Sequence, residues 1–268
     1  MSSRALKLLA VSASFLTLAC GGEDAQEQSP AAELGSTTQA MHSWNGYHWG
    51  RTSNPFQLKL GDNVSAAWDS ALSLSSSDWS KSTVLDTSVV AGQARPKNCR
   101  PTAGRVEVCN AAYGNTGWLG VAQIWLSGGH ISQGIVKVND TYYNTAKYNT
   151  PAWRNSVMCQ EIGHTLGLGH NDEDFDTVNG TCMDYANDPT QNQHPDSHDY
   201  AELESIYRHL DGTTTVGMAV APAPALPLDT RNEWGREVSR SADGHHSTFV
   251  REFGPELMVV TEVRWANE

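Results

Sequence analysis

Four residues in one short stretch have the types and spacing for metal chemistry. Residues 160–170 read QEIGHTLGLGH: Gln160 and His164 stand at i and i+4, Glu161 lies beside the first, and His170 follows Gly167. Side chains at i and i+4 of a helix share a face, so a helix here brings Gln160 and His164 together. Gly167 permits a sharp chain reversal, which returns His170 as a third donor. Zinc takes about four ligands and, in a reactive centre, keeps one position for water. Glu161, next to a donor without being one, is placed to take a proton from that water. The amide oxygen of Gln160 is a harder, weaker donor than an imidazole. That predicts lower zinc affinity and admits another divalent ion.

These residues need a helix to carry them. Thr150 followed by Pro151 is a good start, a hydroxyl N-cap and then proline at the first helical position. The helix is predicted over 151–167, with Trp153, Val157, Ile162 and Leu166 as its apolar contacts and Gly167 and Gly169 ending it. Upstream, alternation predicts a strand at 56–60. Asp62 or Asn63 can cap a helix to about Ser76, with Val64, Trp68, Ala71, Leu72 and Ser75 near one face. Further strands are expected at 83–90 and 105–109, and a strand pair at 121–126 and 134–140. A last helix is expected over 198–210, with Leu203, Ile206, Tyr207 and Leu210 on its buried face.

With His in place of Gln160 the stretch would read HExxHxxGxxH, and it resembles the zinc helix of the metzincin metalloproteases. Downstream, TCMDY at 181–185 resembles their Met-turn, in which a methionine, here Met183, forms a hydrophobic floor under the metal. Tyr185 matches a tyrosine that in some branches approaches the metal or the substrate oxyanion. The resemblance covers about residues 44–210 and is closest to secreted bacterial, matrixin-like members. It implies an α/β (α+β) fold with a twisted mixed sheet, an active-site helix and a Met-turn. It also implies zinc held by Gln160, His164 and His170, with Glu161 and Tyr185 catalytic in the hydrolysis of peptide or protein substrates. The departure at Gln160 leaves an alternative, a catalytically inactive module of the same fold that binds peptides. No cysteine-switch propeptide is visible.

The flanks speak of export. Arg4 and Lys7 precede an apolar run at 8–19, too short to span a membrane as a helix. TLAC then resembles a lipobox, with Cys20 as the lipidated residue. The chain divides into a signal peptide (1–19), a lipid-anchored flexible tether (20–43), the metzincin-like unit (44–211), a linker (212–229) and a small β-rich extension (230–268). This predicts a monomeric protein of the bacterial cell envelope or medium, attached to a membrane only through Cys20. Thirty acidic against 18 basic residues give a net charge of −12, and without a basic patch no nucleic-acid partner is expected. Four cysteines remain after Cys20. They allow three pairings, of which Cys99–Cys109 and Cys159–Cys182 are favoured, against free buried thiols.

Other candidates carry less. His194 or His198 could stand in for the missing histidine ligand. Asp172, Glu173, Asp174 and Asp176 could take calcium, but they match no calcium loop and read better as a solvated acidic loop. His130 follows two glycines in a hairpin near the expected cleft. His245 and His246 lie in a Gly/Ser turn, where a surface position is expected.

Overall fold

A computed structural model describes residues 43–171, 178–184, 188–219 and 228–267. Among these, nine strands form one mixed sheet. The elements in chain order are β1 (His48–Trp49), β2 (Phe56–Asn63), α1 (Asp69–Trp79), β3 (Leu85–Ala91), β4 (Val106–Ala111), β5 (Trp118–Ser127) and β6 (His130–Asn139). There follow α2 (Asp140–Tyr143), α3 (Pro151–Thr165), α4 (Ser197–Ile206), β7 (Arg236–Arg240), β8 (His246–Glu252) and β9 (Leu257–Trp265). The sheet order is β3-β2-β4-β6-β5-β9-β8-β7, with β1 on β6. The β3-β2-β4-β6 half is parallel; from β5 onward every pair is antiparallel.

Burial follows from layering. β5 and β6 are buried along almost their whole length, as strands covered on both faces must be. One face packs Leu119, Ile124, Val136 and Val138 against Trp79, Val157 and Ile162 of the helices. The other joins Val121, Trp125 and Ile135 to Trp234, Phe249 and Val263 of the C-terminal segment, beside the Cys99–Cys109 disulfide. Residues 230–267 carry β7, β8 and β9 and prolong the central sheet through β9. No helix among the described residues is long and apolar enough to cross a membrane.

Two helices differ from expectation. α1 begins at Asp69, because Asp62 and Asn63 are held in the ladder of β2 with β3 and β4. The Asp62 carboxylate accepts the Val64 N–H at 3.1 Å instead of capping a helix. α4 stops at Ile206, its start fixed by an Asp196–Asp199 capping box. Leu203, Ile206 and Tyr207 are buried as expected, but Leu210 lies past the helix end and is 57% exposed.

Candidate metal centre

α3 starts as its sequence dictates, with the Thr150 hydroxyl accepting the Trp153 N–H at 3.2 Å. It ends in a turn that needs glycine. Gly167 has φ +102°, and a Cβ there would stand 2.2 Å from the Tyr47 carbonyl oxygen. The reversed chain pairs Leu168 with Ser43 and brings His170 back over His164. The two rings meet edge to face, centroids 4.6 Å apart. His164 Nδ1 lies 2.9 Å from the Leu168 carbonyl. A carbonyl only accepts, so a ring proton sits on Nδ1, the tautomer in which Nε2 of a neutral imidazole is the metal-donor atom.

A third donor comes from far along the chain. Ligand atoms of His164, His170 and Glu262 all lie within 4.8 Å of one another. Glu262 sits on β9, opposite Ala122 of β5. It is buried, and one oxygen accepts from the Thr248 hydroxyl at 2.9 Å. Burial pushes its carboxyl up to about 8. The space between His164 and Glu262, walled by Trp44, Ala122, Ile124 and Val260, holds no water-sized void. A surface recess between Trp44, Gly169 and Thr248 reaches His170 from outside. His246 is buried too, its ring 4.5 Å from that of His170. This corrects the surface position expected for it: residue 246 opens β8, and β8 is held inward by β9.

Gln160 is oriented by the segment that carries Met183. Its Nε2 donates to the carbonyls of Cys182 at 3.0 Å and Asp184 at 3.2 Å. Its Oε1 is buried with no hydrogen-bond partner among the described residues. The Cys159–Cys182 disulfide ties the same helix to the same segment, so both favoured pairings form. Met183 is fully buried. Its Sδ lies 2.4 Å from where a Cβ on Gly163 would stand, so Gly163 allows it to press on α3.

Glu161 is enclosed. Both carboxylate oxygens are buried without a hydrogen-bond partner among the described residues. Burial holds its carboxyl well above the usual range; nearby Arg264 opposes this and Glu262 adds to it. Gly120 on β5 makes the room, since a Cβ there would stand 2.4 Å from Glu161 Oε1. Arg264 on β9 is buried and is oriented by the Ser156 hydroxyl at 3.1 Å.

The structure thus carries Gln160, Glu161 and His164 on α3, sets His170 beside His164, and packs Met183 against Gly163 of the same helix. Tyr185, Cys20 and the acidic residues Asp172, Glu173, Asp174 and Asp176 lie outside the described residues. His194 and His198 are engaged elsewhere. His194 Nδ1 is 2.6 Å from an Asp78 oxygen, and His198 groups with Asp196 and Asp199. Compared with protein-family models and with curated proteins, the chain matches none.

Sequence reasoning missed Glu262, His246, Arg264, Gly120 and Gly163. Glu262 and Arg264 carried one local signal. Two charges at i and i+2 in the otherwise apolar run LMVVTEVRW fall on the same face of a strand, where buried charge is rare unless it is paired or ligating.

Proposed function

We propose that this chain is an exported, metal-dependent endopeptidase with a metzincin-like catalytic unit, acting on peptide or protein substrates. The observation that carries the reading is the edge-to-face meeting of His164 and His170, with Glu161 buried on the same helix α3. The donor set fits a divalent ion. It offers two imidazoles and a Gln160 amide oxygen that is buried and unsatisfied, an arrangement otherwise costly. When bound, the ion supplies Lewis acidity toward a water molecule and the scissile carbonyl.

The chain's own residues supply the rest. His164, its Nδ1 proton engaged by Leu168, offers Nε2; His170 offers a second nitrogen and Gln160 its Oε1. Glu161 moves the proton. A carboxylate oxygen takes it from the attacking water and returns it to the nitrogen of the leaving amine, so the C–N bond breaks with no charge stranded. Tyr185 is positioned in the sequence to stabilise the oxyanion. Gln160, Met183 and the Cys159–Cys182 bridge hold the helix against the downstream segment, which lowers the ordering cost of binding an ion. The leader-like residues 1–19, Cys20 and two disulfides support export with lipid attachment into an oxidising compartment.

A second reading, a module that binds peptides without cutting, is favoured by the burial of Glu161 and by β9 lying along β5. The chain from residue 41, loaded with zinc and given a diverse peptide library, separates them. Chelator-sensitive new termini that vanish in Glu161→Ala support the peptidase. Peptide capture without cuts, in wild type and in Glu262→Gln alike, supports the module.

A further inference from the structure

An exposed strand edge offers unpaired N–H and C=O groups to any extended chain, and peptide recognition commonly uses that edge. The β5 edge nearest Glu161 is already taken. β9 runs antiparallel along it from Trp118 opposite Trp265 to Ser127 opposite Leu257. That register sets Arg264 opposite Gly120, the residue whose missing Cβ makes room for Glu161. It also sets the Glu262 carboxylate against the ring nitrogens of His164 and His170. We propose that β9 is an internal occupant of the substrate groove, and that Glu262 supplies the oxygen donor that water or a substrate carbonyl supplies in the open state. The proposal rests on the peptidase reading. Thr248 aims the carboxylate, and β8 and β7 brace β9 from its far side, so residues 230–267 hold the centre closed.

The test is Glu262→Gln in the otherwise intact chain, a substitution that keeps shape and Thr248 contact. Metal content, thermal midpoint and library cleavage are read together. The expected result is unchanged metal content with chelator-sensitive cleavage at least tenfold above wild type. As a second form, a site-specific protease sequence inserted within 220–227 allows the chain to be nicked. A synthetic peptide of residues 256–268 should then inhibit the nicked protein. Wild type cutting as fast as both altered forms would overturn occlusion and leave the peptidase standing. Loss of metal along with activity in Glu262→Gln would also overturn it, making Glu262 a resident ligand. No cleavage by either form, folded and metal-loaded, would sink the peptidase reading and occlusion with it.

A separate cluster carries a second proposal. Three imidazoles face one oxygen: Nε2 of His48, His130 and His209 lie 3.4, 3.2 and 3.4 Å from Asp211 Oδ1. The other Asp211 oxygen is held by Arg51 Nη1 at 2.7 Å, which fixes the carboxylate. His48 Nδ1 is 2.6 Å from the Gly46 carbonyl and so carries that ring's proton. Its Nε2 faces a carboxylate oxygen, a contact that a second ring proton or a bound cation would satisfy. The His48 ring stands perpendicular to both others, at 85° and 87°. We infer that His48, His130, His209 and Asp211 bind a divalent ion of the imidazole-preferring class, such as zinc. It would clamp β1 and the β6 start to the chain after α4. Metal-stripped full-length protein titrated with zinc should bind two ions by native mass spectrometry. His130→Ala/His209→Ala should bind one and melt at a lower temperature in zinc, while His164→Ala should also bind one. Two ions retained by the double variant, or a single ion in wild type that His164→Ala abolishes, would overturn the site.

Discussion

Met183 occupies the space that a side chain on Gly163 would fill, its Sδ 2.4 Å from the missing Cβ and Trp79 at 2.7 Å from the same point. Helix α3 and the downstream segment therefore touch through a glycine that lies between Gln160 and His164. Gly163→Ala should be destabilising despite alanine's higher helix propensity, because overpacking costs about 1–3 kcal/mol against a propensity gain of about 1. Thermal unfolding of the metal-free chain checks it, and an unchanged or raised midpoint would mean Met183 does not press on α3.

In the proposed reading Gln160 both binds the ion and anchors the downstream segment, and a histidine would separate the two. Gln160→His should bind zinc at least tenfold more tightly, an imidazole replacing an amide. The metal-free protein should lose about 1–3 kcal/mol, since the Nε2 bonds to the Cys182 and Asp184 carbonyls go and leave buried acceptors unsatisfied. Isothermal titration and metal-free denaturation read the two effects independently.

The Cys159–Cys182 bridge closes a loop with a sequence separation of 23. Replacing both cysteines by serine should cost about 2–4 kcal/mol, mainly through the unfolded chain. It should also weaken metal binding, because the bridge joins the ligand helix to the Met183 segment. A loss of stability at unchanged metal affinity would separate the two.

Asp199 gives a pH dependence with a definite sign. Burial pushes its carboxyl up to about 7, against the opposing hydrogen bonds from the Thr181 hydroxyl and the Asp196 N–H. A raised folded value means the native state holds a proton that the unfolded chain has released. The stabilisation is complete below about pH 4 and is lost as pH rises to about 7, at up to about 1.4 kcal/mol per unit. Glu262 adds a slope of the same sign. The contribution of Asp199 is therefore the difference between wild-type and Asp199→Asn curves measured from pH 4 to 8. Parallel curves would show that Asp199 is ionised in the fold.

Much of the framework was legible because its causes are local. Thr150 and Pro151 announced the start of α3, alternation placed β2, and the two glycines after Ser127 joined β5 to β6, each with positive φ. The i, i+4 spacing set Gln160 and His164 on one helix, and Gly167 set the return of His170. The errors came where distant partners compete. Asp62 and Asn63 have cap chemistry, but a parallel ladder with residues far along the chain claimed them first. His246 has the neighbours of a surface turn, but its strand is stitched to β9.

The sequence by itself determined which side chains could hold an ion and carry a proton, because periodicity, capping and glycine are properties of neighbouring residues. Only the tertiary structure decided what stands across from them. That β9 lies on β5, that Glu262 meets His164 and His170, and that three histidines converge on Asp211 depend on how segments distant in the sequence are brought side by side. Register is set by burying both faces of the sheet at once, and no local pattern encodes which charged residue that places beside the centre.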